Sequence, residues 1–259
     1  MSIPTITGSI FNFTGSYTPP TWDGFHYYNF TTGEFDNVRQ VWTDENYVYA
    51  ATSAGLNIID LDSEIRYAQA TYSGGFTTTW ANNDKVYLGT TEDGIKYITK
   101  TCISGSIVTP IELNTCLVDY IEQSLTSNEV RYIHGNNGFL MCCTAVGVDV
   151  IKNEPHGYRS YTTVSGAKKC FITSTGGSYY STYDGTSWEL NRINTSLTDW
   201  SEPDYVYGDP LVASNEITDM FVTEGTASDG VSNTLMVTTV SGVYVLDESD
   251  LYLKIYYIQ

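Results

Sequence analysis

A Thr-x-x-Gly sequence recurs five times along the chain, each time between two short strand-like runs. The spacings between successive glycines are 39, 53, 38 and 57 residues, and the glycines are Gly55, Gly94, Gly147, Gly185 and Gly242. A period near forty residues, with four short strands in each period, is typical of the blade of a β-propeller. The repeat therefore constrains the chain to an all-β architecture built from similar units.

A second recurring segment precedes each glycine motif and ends at an aromatic residue or a histidine. Those end residues are Trp42, Trp80, His134, Phe171 and Phe221. We interpret the segment as the first strand of a blade and Thr-x-x-Gly as the turn between the second and third strands. In the first repeat this predicts strands near 38–43, 47–52, 56–61 and 65–71. His134 stands where other repeats have aromatic rings, so we expect a packed core histidine rather than a ligand or base.

Together these patterns predict an all-β fold, a five-bladed β-propeller of four-stranded antiparallel blades. We expect one propeller domain over residues 23–259, preceded by an N-terminal arm over residues 1–22. Closing the ring protects the exposed edge of a sheet. The aromatic run at 25–30 or the C-terminal run at 251–258 is therefore predicted to be the outer strand of the blade that contains Gly242.

Two segments are longer than a standard blade requires. Residues 101–126 are predicted to separate blades two and three, and residues 194–214 to separate blades four and five. Inserted loops on a rigid scaffold often carry binding. The second segment has three aromatic residues that suit a contact surface, and covering a blade edge is the simpler alternative: Trp200, Tyr205 and Tyr207.

The chain is strongly acidic, with a net charge of −18 and only 12 Lys and Arg among 259 residues. Phosphate backbones repel such a surface, so we expect no nucleic-acid partner. Apolar runs are too short for a membrane span and the first residues lack a signal-peptide pattern, so we expect neither membrane insertion nor secretion. The five cysteines are an odd number without regular spacing, which favours a reducing compartment over a disulfide framework.

Sequence motifs for catalysis, cofactor binding and metal binding are not found, so we expect no catalytic residue, no cofactor and no metal. Glu216 and Asp219 could enter a central pocket. No other repeat supplies a matching acid for the paired carboxylates of a glycoside hydrolase. The run Tyr183-Asp-Gly-Thr-Ser-Trp188 resembles the Asp-box of sialidase-like propellers, one residue short, and in that family the box is a structural turn.

Basic residues at one equivalent position of the repeats indicate a binding site. The second residue of the first strand in successive repeats is Arg39, Thr77, Arg131, Lys168 and Thr218. The start of this strand lies near the axis of a propeller, so Arg39, Arg131 and Lys168 are predicted to ring the mouth of a channel. There they would receive a small anion or the acidic group of a partner. Local ion pairing with acids such as Glu129 is the alternative.

The repeated pattern is apolar-x-x-apolar-aromatic, then apolar-x-apolar-x-x-Thr-x-x-Gly-apolar, over roughly residues 37–250. It resembles the propeller repeats of two-component-regulator sensors. This resemblance implies the fold and says little about activity, because many functions share such repeats. In composition the chain, rich in Tyr, Thr, Ser and Gly, resembles a virus or phage structural protein.

We therefore predict a non-enzymatic structural or interaction module. Its expected place is a virion, as a phage tail or capsid-associated component assembled in the cytoplasm. Its expected partners are other protein subunits of the assembly or a surface glycan or receptor. A glycan-binding lectin-like propeller and a five-bladed glycoside hydrolase are the alternatives.

Overall fold

The computed structural model describes residues 37–61, 66–103, 111–120, 125–136, 138–152, 157–161, 166–173, 177–194, 205–206, 212–213, 216–223, 234–240, 242–247 and 253–257. By their internal contacts the residues of the chain divide into two units, Met1–Gly33 and Glu34–Gln259. All described residues belong to the second unit. The predicted arm at 1–22 and the predicted aromatic strand at 25–30 lie outside the described residues.

The described residues form β-strands and two short 3-10 helices, Lys100–Cys102 and Asn114–Cys116. Neither of these helices has the length or the apolar character needed to cross a membrane. The strands in chain order are β1 (Val38–Thr43), β2 (Tyr47–Thr52), β3 (Gly55–Asp60), β4 (Arg66–Thr71), β5 (Thr78–Ala81), β6 (Lys85–Gly89), β7 (Ile95–Thr99), β8 (Ile111–Glu112), β9 (Val118–Asp119), β10 (Val130–Asn136), β11 (Phe139–Thr144), β12 (Val148–Lys152), β13 (Gly157–Tyr161), β14 (Ala167–Ile172), β15 (Gly177–Tyr183), β16 (Trp188–Asn194), β17 (Tyr205–Val206), β18 (Val212–Ala213), β19 (Ile217–Thr223), β20 (Thr234–Thr239), β21 (Gly242–Asp247) and β22 (Leu253–Tyr257).

These strands form five sheets that follow one another along the chain. The sheets are β1-β2-β3-β4-β8, β5-β6-β7-β9, β10-β11-β12-β13, β14-β15-β16 with β17 and β18, and β19-β20-β21-β22. The first strand of each sheet contacts the first strand of the next, from the first sheet to the fifth. The all-β architecture with five sheets agrees with the prediction, and β1 to β4 begin and end within one residue of their predicted bounds.

The second and third strands of the first and third sheets are buried on both faces. Every residue of β11 is buried, and so are the first five residues of β3. Cys142 and Cys143 are both fully buried but belong to different core clusters, one on each face of the third sheet. Their opposite directions follow from the alternation of side chains along a strand, as the sequence predicts for two small core residues.

A buried threonine fastens the turn between the second and third strands in four of the five sheets. The hydroxyl of Thr52 accepts hydrogen bonds from the backbone N–H groups of Ala54 and Gly55, at 3.2 and 3.1 Å, and donates to the carbonyl oxygen of Gly55 at 2.9 Å. Gly55 has φ of 150°, and a Cβ there would lie 1.9 Å from the carbonyl oxygen of Ala70, so only glycine fits. The equivalent pairs are Thr90 with Gly94, Thr144 with Gly147 and Thr239 with Gly242.

Two of the five predicted turns are built differently from the prediction. In the second sheet the hydroxyl that bonds Gly94 belongs to Thr90, one residue before the motif threonine. In the fourth sheet, β15 continues to Tyr183, and Asp184 holds the turn. Its carboxylate accepts from the backbone N–H groups of Ser187 and Thr186 at 2.8 and 2.7 Å, and these bonds lower the pKa of Asp184 to about 2. The Asp-box-like run is thus a structural turn, as the resemblance implies.

The described strands of both longer segments pair within the sheets, whereas the prediction placed these segments between blades. After β7 the chain adds β8 in parallel to β4, at the edge of the first sheet, and returns as β9 to complete the second sheet. The segment at 194–214 likewise supplies β17 and β18, which pair with β16. Unpaired sheet edges recruit strands, and the sequence pattern does not show which edge a two-residue strand joins.

The fifth sheet ends with the C-terminal strand. β22 pairs antiparallel with β21, and Tyr257 lies opposite Gly242. The prediction that the run at 251–258 forms the outer strand of the blade containing Gly242 is therefore confirmed.

Candidate functional site

One cavity is lined by residues from the first strands of all five sheets. Its volume is about 1680 Å³, and β1, β5, β10, β14 and β19 each contribute side chains. Further lining comes from the turn between β5 and β6 and from β7 and β9. The cavity therefore lies where the sequence places the axis of the repeats.

A β-bulge recurs near the start of four of these five strands. The pairing register with the second strand shifts at this point in the first, third, fourth and fifth sheets. A bulge adds one residue that lacks a cross-strand partner and redirects its side chain. The bulge residues are Arg39, Arg131, Lys168 and Thr218.

The three cations predicted to lie together are therefore bulge residues, and all three line the cavity. We call Arg39, Arg131 and Lys168 the bulge cations. The alternation of side chains along a regular strand does not reveal a bulge, so the repeat spacing predicts that these cations lie together but does not explain why.

The two arginines also tie neighbouring sheets together. Arg39 Nη1 donates to the carbonyl oxygen of Gly74, shortly before β5, at 3.0 Å. Arg131 Nη1 donates to the carbonyl oxygen of Ala167, the first residue of β14, at 3.4 Å. Each arginine thus bonds the backbone close to the first strand of the next sheet, which fixes its position at the cavity wall.

The bulge cations differ in how their charge is neutralised. Arg131 Nε lies 2.9 Å from a carboxylate oxygen of Glu129, so local pairing, the alternative considered from the sequence, holds for this residue. Arg39 is exposed. Within the part of the chain that the structure describes, Lys168 makes no hydrogen bond or ion pair. The acids among the described residues therefore neutralise the group only in part.

One residue after the bulge, side chains from three different sheets meet in the cavity. Lys169 Nζ lies 3.2 Å from Asp219 Oδ1 and 5.4 Å from the centre of the Tyr132 ring. The Tyr132 hydroxyl donates to the same Oδ1 at 3.5 Å. Burial, with a contribution from the charge of Asp219, raises the pKa of Tyr132 above its ordinary value. The phenol is therefore a stable hydrogen-bond donor in this cluster.

Three residues after the bulge lies a second layer, the aromatic layer, which consists of the residues that end the recurring segment. Its members all line the cavity: Trp42, Trp80, His134, Phe171 and Phe221. The ring centres are 6.2 Å apart for Trp42 and Trp80, 5.4 Å for Trp42 and His134, and 3.7 Å for His134 and Phe171. Phe221 is 56% exposed, unlike the others. The layer offers flat apolar surfaces to the cavity.

His134 is a core residue of this layer, as predicted. It is 5% exposed, and its Nδ1 accepts a hydrogen bond from the backbone N–H of Ile172 at 3.3 Å. Burial lowers the pKa of His134 to about 3, so the ring is neutral at physiological pH. It therefore links the third and fourth sheets and does not carry charge into the cavity.

The cavity concentrates positive charge in an otherwise acidic chain. Its described lining contains five of the 12 Lys and Arg residues but three of the 30 Asp and Glu residues. The cations are Arg39, Lys85, Arg131, Lys168 and Lys169, and the acids are Asp84, Asp119 and Asp219. An anion repelled by most of the chain is therefore attracted to this cavity.

Of the other predicted contact residues, only Tyr205 lies among the described residues, and it does not line the cavity. Trp200 and Tyr207 lie outside the described residues. Tyr205 begins β17, at the outer side of the fourth sheet, and pairs with Asn194. The sequence analysis missed the roles of Tyr132 and Lys169. Their shared position next to the bulge in successive repeats is the signal that could have revealed them.

Asp219 lines the cavity, as the sequence allowed, but its Oδ1 is occupied. It accepts from Lys169, from Tyr132 and from the backbone N–H of Met220 at 3.0 Å. Among the described residues, no three His, Cys, Asp or Glu side chains are grouped so that they could hold a metal ion.

No family model and no curated protein match the sequence. Solved structures do match the fold. The extracellular domain of the hybrid two component system BT4673 from B. thetaiotaomicron has a TM-score of 0.59 and 16% identity, covering 86% of this chain and 30% of that one. The extracellular domain of the hybrid system BT3049 from the same organism has a TM-score of 0.54 and 17% identity, covering 86% and 30%.

These comparisons show a shared fold, and this chain spans less than a third of the length of the extracellular domains that it matches. They agree with the resemblance to two-component-regulator repeats found in the sequence. They give no support to the virion role predicted from composition.

Proposed function

We propose that the chain is a non-enzymatic binding module whose five sheets close into a five-bladed propeller and whose cavity receives an anionic group. That group belongs either to a partner protein or to a small acidic ligand. The observation that carries the proposal is the repeated bulge, which directs cations of three sheets toward one cavity in a chain of net charge −18.

Electrostatics favour an occupied cavity. Like charges that share a cavity disfavour one another, and an anion within hydrogen-bonding reach relieves that cost. Glu129 neutralises Arg131 in part, whereas Lys168 has no partner among the described residues. Lys168 and the exposed Arg39 are therefore the positions from which an incoming carboxylate or similar group would gain most.

The aromatic layer favours a ligand that has a flat apolar part as well as an acidic group. Indole and phenyl rings bind flat apolar groups by stacking, and Trp42, Trp80 and Phe171 line the same cavity as the bulge cations. A ligand with a planar apolar body and an acidic group would contact both layers. A small inorganic anion would contact the cations alone.

Binding without catalysis is the interpretation that the acids of the cavity favour. A glycoside hydrolase needs two free carboxyl groups facing one substrate, and the Oδ1 of Asp219 already accepts from Lys169, Tyr132 and Met220. A glycan-binding role remains the alternative, because sugar rings also stack on aromatic side chains. A lectin would depend on Trp42 and Trp80 and would not need the bulge cations.

The biological setting is a separate part of the proposal. The matched structures are extracellular domains of two component systems, and a comparable role here would be ligand sensing. Composition alone favours the predicted place in a virus or phage particle, where the partner would be another subunit or a surface receptor. Detecting the chain by mass spectrometry in purified virions, or failing to, decides between these settings.

The binding proposal is tested by titrating the purified chain with terephthalate, a planar dicarboxylate, in a calorimeter at low ionic strength. We expect saturable binding that weakens by at least about tenfold in the variant Arg39→Gln/Arg131→Gln/Lys168→Gln, because charge-assisted hydrogen bonds are lost. The salt dependence of binding should also fall. The control is Lys152→Gln, which removes a cation packed on Phe139 outside the cavity lining and should change affinity less than twofold.

Two further titrations separate the alternatives. Terephthalamide has the same shape without the charge and should bind far more weakly than terephthalate. Equal affinities of the wild type and the triple variant for terephthalate, or no binding of terephthalate to the wild type, would contradict the proposal. Saturable binding of a neutral oligosaccharide that the triple substitution leaves unchanged would favour the lectin alternative.

A further inference from the structure

Two neighbouring first strands, β14 and β19, bring opposite charges into the cavity. Lys168 and Lys169 of β14 and Asp219 of β19 all line it. Consecutive side chains of a regular strand point to opposite faces, so the bulge at Lys168 explains why both lysines reach the same space. Lys169 Nζ lies 3.2 Å from Asp219 Oδ1. A cation without a described partner, Lys168, therefore stands one residue away from a carboxylate on the adjacent strand.

The carboxylate of Asp219 has one oxygen left for a ligand. Oδ1 accepts from Lys169, from the Tyr132 hydroxyl and from the backbone N–H of Met220. Within the part of the chain that the structure describes, Oδ2 takes part in no hydrogen bond or ion pair, and the side chain is 61% exposed. An ionised carboxylate accepts hydrogen bonds on both oxygens. Because the bonds to Oδ1 fix the group, Oδ2 is a positioned acceptor in the cavity.

The aromatic layer has a free ring surface on the same strand. Its other four rings contact one another from the first sheet to the fourth. Phe221 makes no ring contact among the described residues, and it is 56% exposed in the cavity. Side chains two positions apart lie on the same face of a strand, so Phe221 lies on the side of β19 that carries Asp219. Such a ring can stack against a planar group of a ligand.

We propose that the ligand of this cavity is an aromatic α-amino acid, bound as a zwitterion between β14 and β19. The inference rests on the proposed function, because the ligand's carboxylate is the anionic group, and Lys168 receives it. The ligand's ammonium group donates to Asp219 Oδ2, and its ring stacks on Phe221. In an α-amino acid a single carbon atom joins the two charged groups, and the lysine and aspartate that receive them lie on adjacent strands.

The charges of the two strands disfavour ligands that carry only one sign. A plain amine would bring another cation beside Lys168 and Lys169. A plain dicarboxylate would bring a second negative charge beside Asp219. Like charges placed side by side reduce affinity and so give specificity. A zwitterion presents an opposite charge to each group and forms a charge-assisted hydrogen bond with both.

The first experiment compares three ligands on the wild-type chain by calorimetry at low ionic strength. L-tryptophan has all three groups, N-acetyl-L-tryptophan lacks the ammonium charge, and tryptamine lacks the carboxylate. We expect saturable binding of L-tryptophan and at least about tenfold weaker binding of each analogue, because each loses one charge-assisted hydrogen bond.

The second experiment changes the carboxylate alone. Asp219→Asn keeps an acceptor oxygen for Lys169 and Tyr132 but removes the charge that receives the ammonium group. L-tryptophan should bind at least about tenfold more weakly to this variant. N-acetyl-L-tryptophan should bind equally well or more tightly, because a repelling charge is lost. The control Glu92→Gln removes an exposed carboxylate outside the cavity lining and should change either affinity less than twofold.

Each result decides the inference separately from the proposed function. The inference is wrong if the wild type does not bind L-tryptophan, or binds it no more tightly than N-acetyl-L-tryptophan. It is equally wrong if Asp219→Asn changes the affinities for both ligands by the same factor. In all these cases saturable binding of terephthalate would leave the proposed anion binding intact. Because the three ligands on the wild type already give a decision, a folding defect of the variant cannot obscure it.

Discussion

The bulge cations and the aromatic layer occupy neighbouring positions on the same strands but are stabilised in opposite ways. In the aromatic layer the rings contact one another across sheets, and Trp80 and His134 are at most 6% exposed. Among the bulge cations, Arg39 and Arg131 instead donate hydrogen bonds to backbone carbonyl groups, and Lys168 has no partner among the described residues. The repeated strand thus places a layer of packed rings, which stabilises the fold, next to a layer of cations that contributes less to stability.

The largest expected effect tests whether the aromatic layer carries stability. Trp80→Ala should lower the free energy of unfolding by about 3–5 kcal/mol, because it removes a large buried ring. Phe221→Ala is the matched control: it changes the equivalent residue of the fifth repeat, which is 56% exposed, and should cost less than about 1 kcal/mol. Urea denaturation measures both. Equal losses of stability in the two variants would show that burial does not determine how much each ring of the aromatic layer stabilises the fold.

A pH titration tests the neutral histidine in the aromatic layer. Its pKa is about 3 in the folded chain and about 6.5 when unfolded, so the unfolded state binds a proton first as pH falls. Stability from this residue is complete above about pH 6.5 and declines by about 1.4 kcal/mol per pH unit below it. His134→Phe should remove this slope between about pH 6.5 and 4. An unchanged slope in denaturation at several pH values would contradict the assignment.

The turns between the second and third strands provide a test with a smaller expected effect on stability. The Thr144 hydroxyl is fully buried and bonds the backbone of Gly147 and the hydroxyl of Thr126, so Thr144→Val should cost about 1–3 kcal/mol. Thr182 stands at the corresponding sequence position of the fourth repeat but makes no such turn. Thr182→Val should cost about 0.5 kcal/mol or less. Thermal unfolding of the two variants distinguishes a turn stabilised by the threonine of Thr-x-x-Gly from one stabilised by Asp184.

The smallest expected effect concerns the bulge cations themselves. Lys168→Gln should change the free energy of unfolding by no more than about 0.5 kcal/mol, since this lysine has no partner among the described residues. Arg131→Gln removes the contacts to Glu129 and Ala167 and should cost up to about 1 kcal/mol. A loss of several kcal/mol in Lys168→Gln would mean that this layer also holds the fold together.

The sequence predicted the repeated elements well because local patterns determine them. Apolar periodicity and glycine turns located β1 to β4 within one residue, and the alignment of repeats identified the aromatic layer. The predicted Thr-x-x-Gly turn was wrong in detail at Thr90 and Asp184, where the register differs by one residue or the turn uses a carboxylate. Local sequence similarity does not determine such register differences.

The candidate site could be predicted only in part. Equivalent positions placed Arg39, Arg131 and Lys168 together, but the bulges that direct them appear only when strand pairing is known. The cluster of Tyr132, Lys169 and Asp219 depends on how three sheets face one another. Spacing along the chain contains no direct information about such contacts between distant repeats.

The donation of β8 to the first sheet has a consequence for how this protein can gain or lose repeats. In repeat proteins each unit contacts mainly its neighbours, so units can be duplicated or deleted. Here a deletion confined to the second repeat would also remove a strand from the first sheet and leave β4 uncovered. The first two repeats are therefore structurally interdependent, and a deletion that keeps β4 covered must retain Ile111 and Glu112.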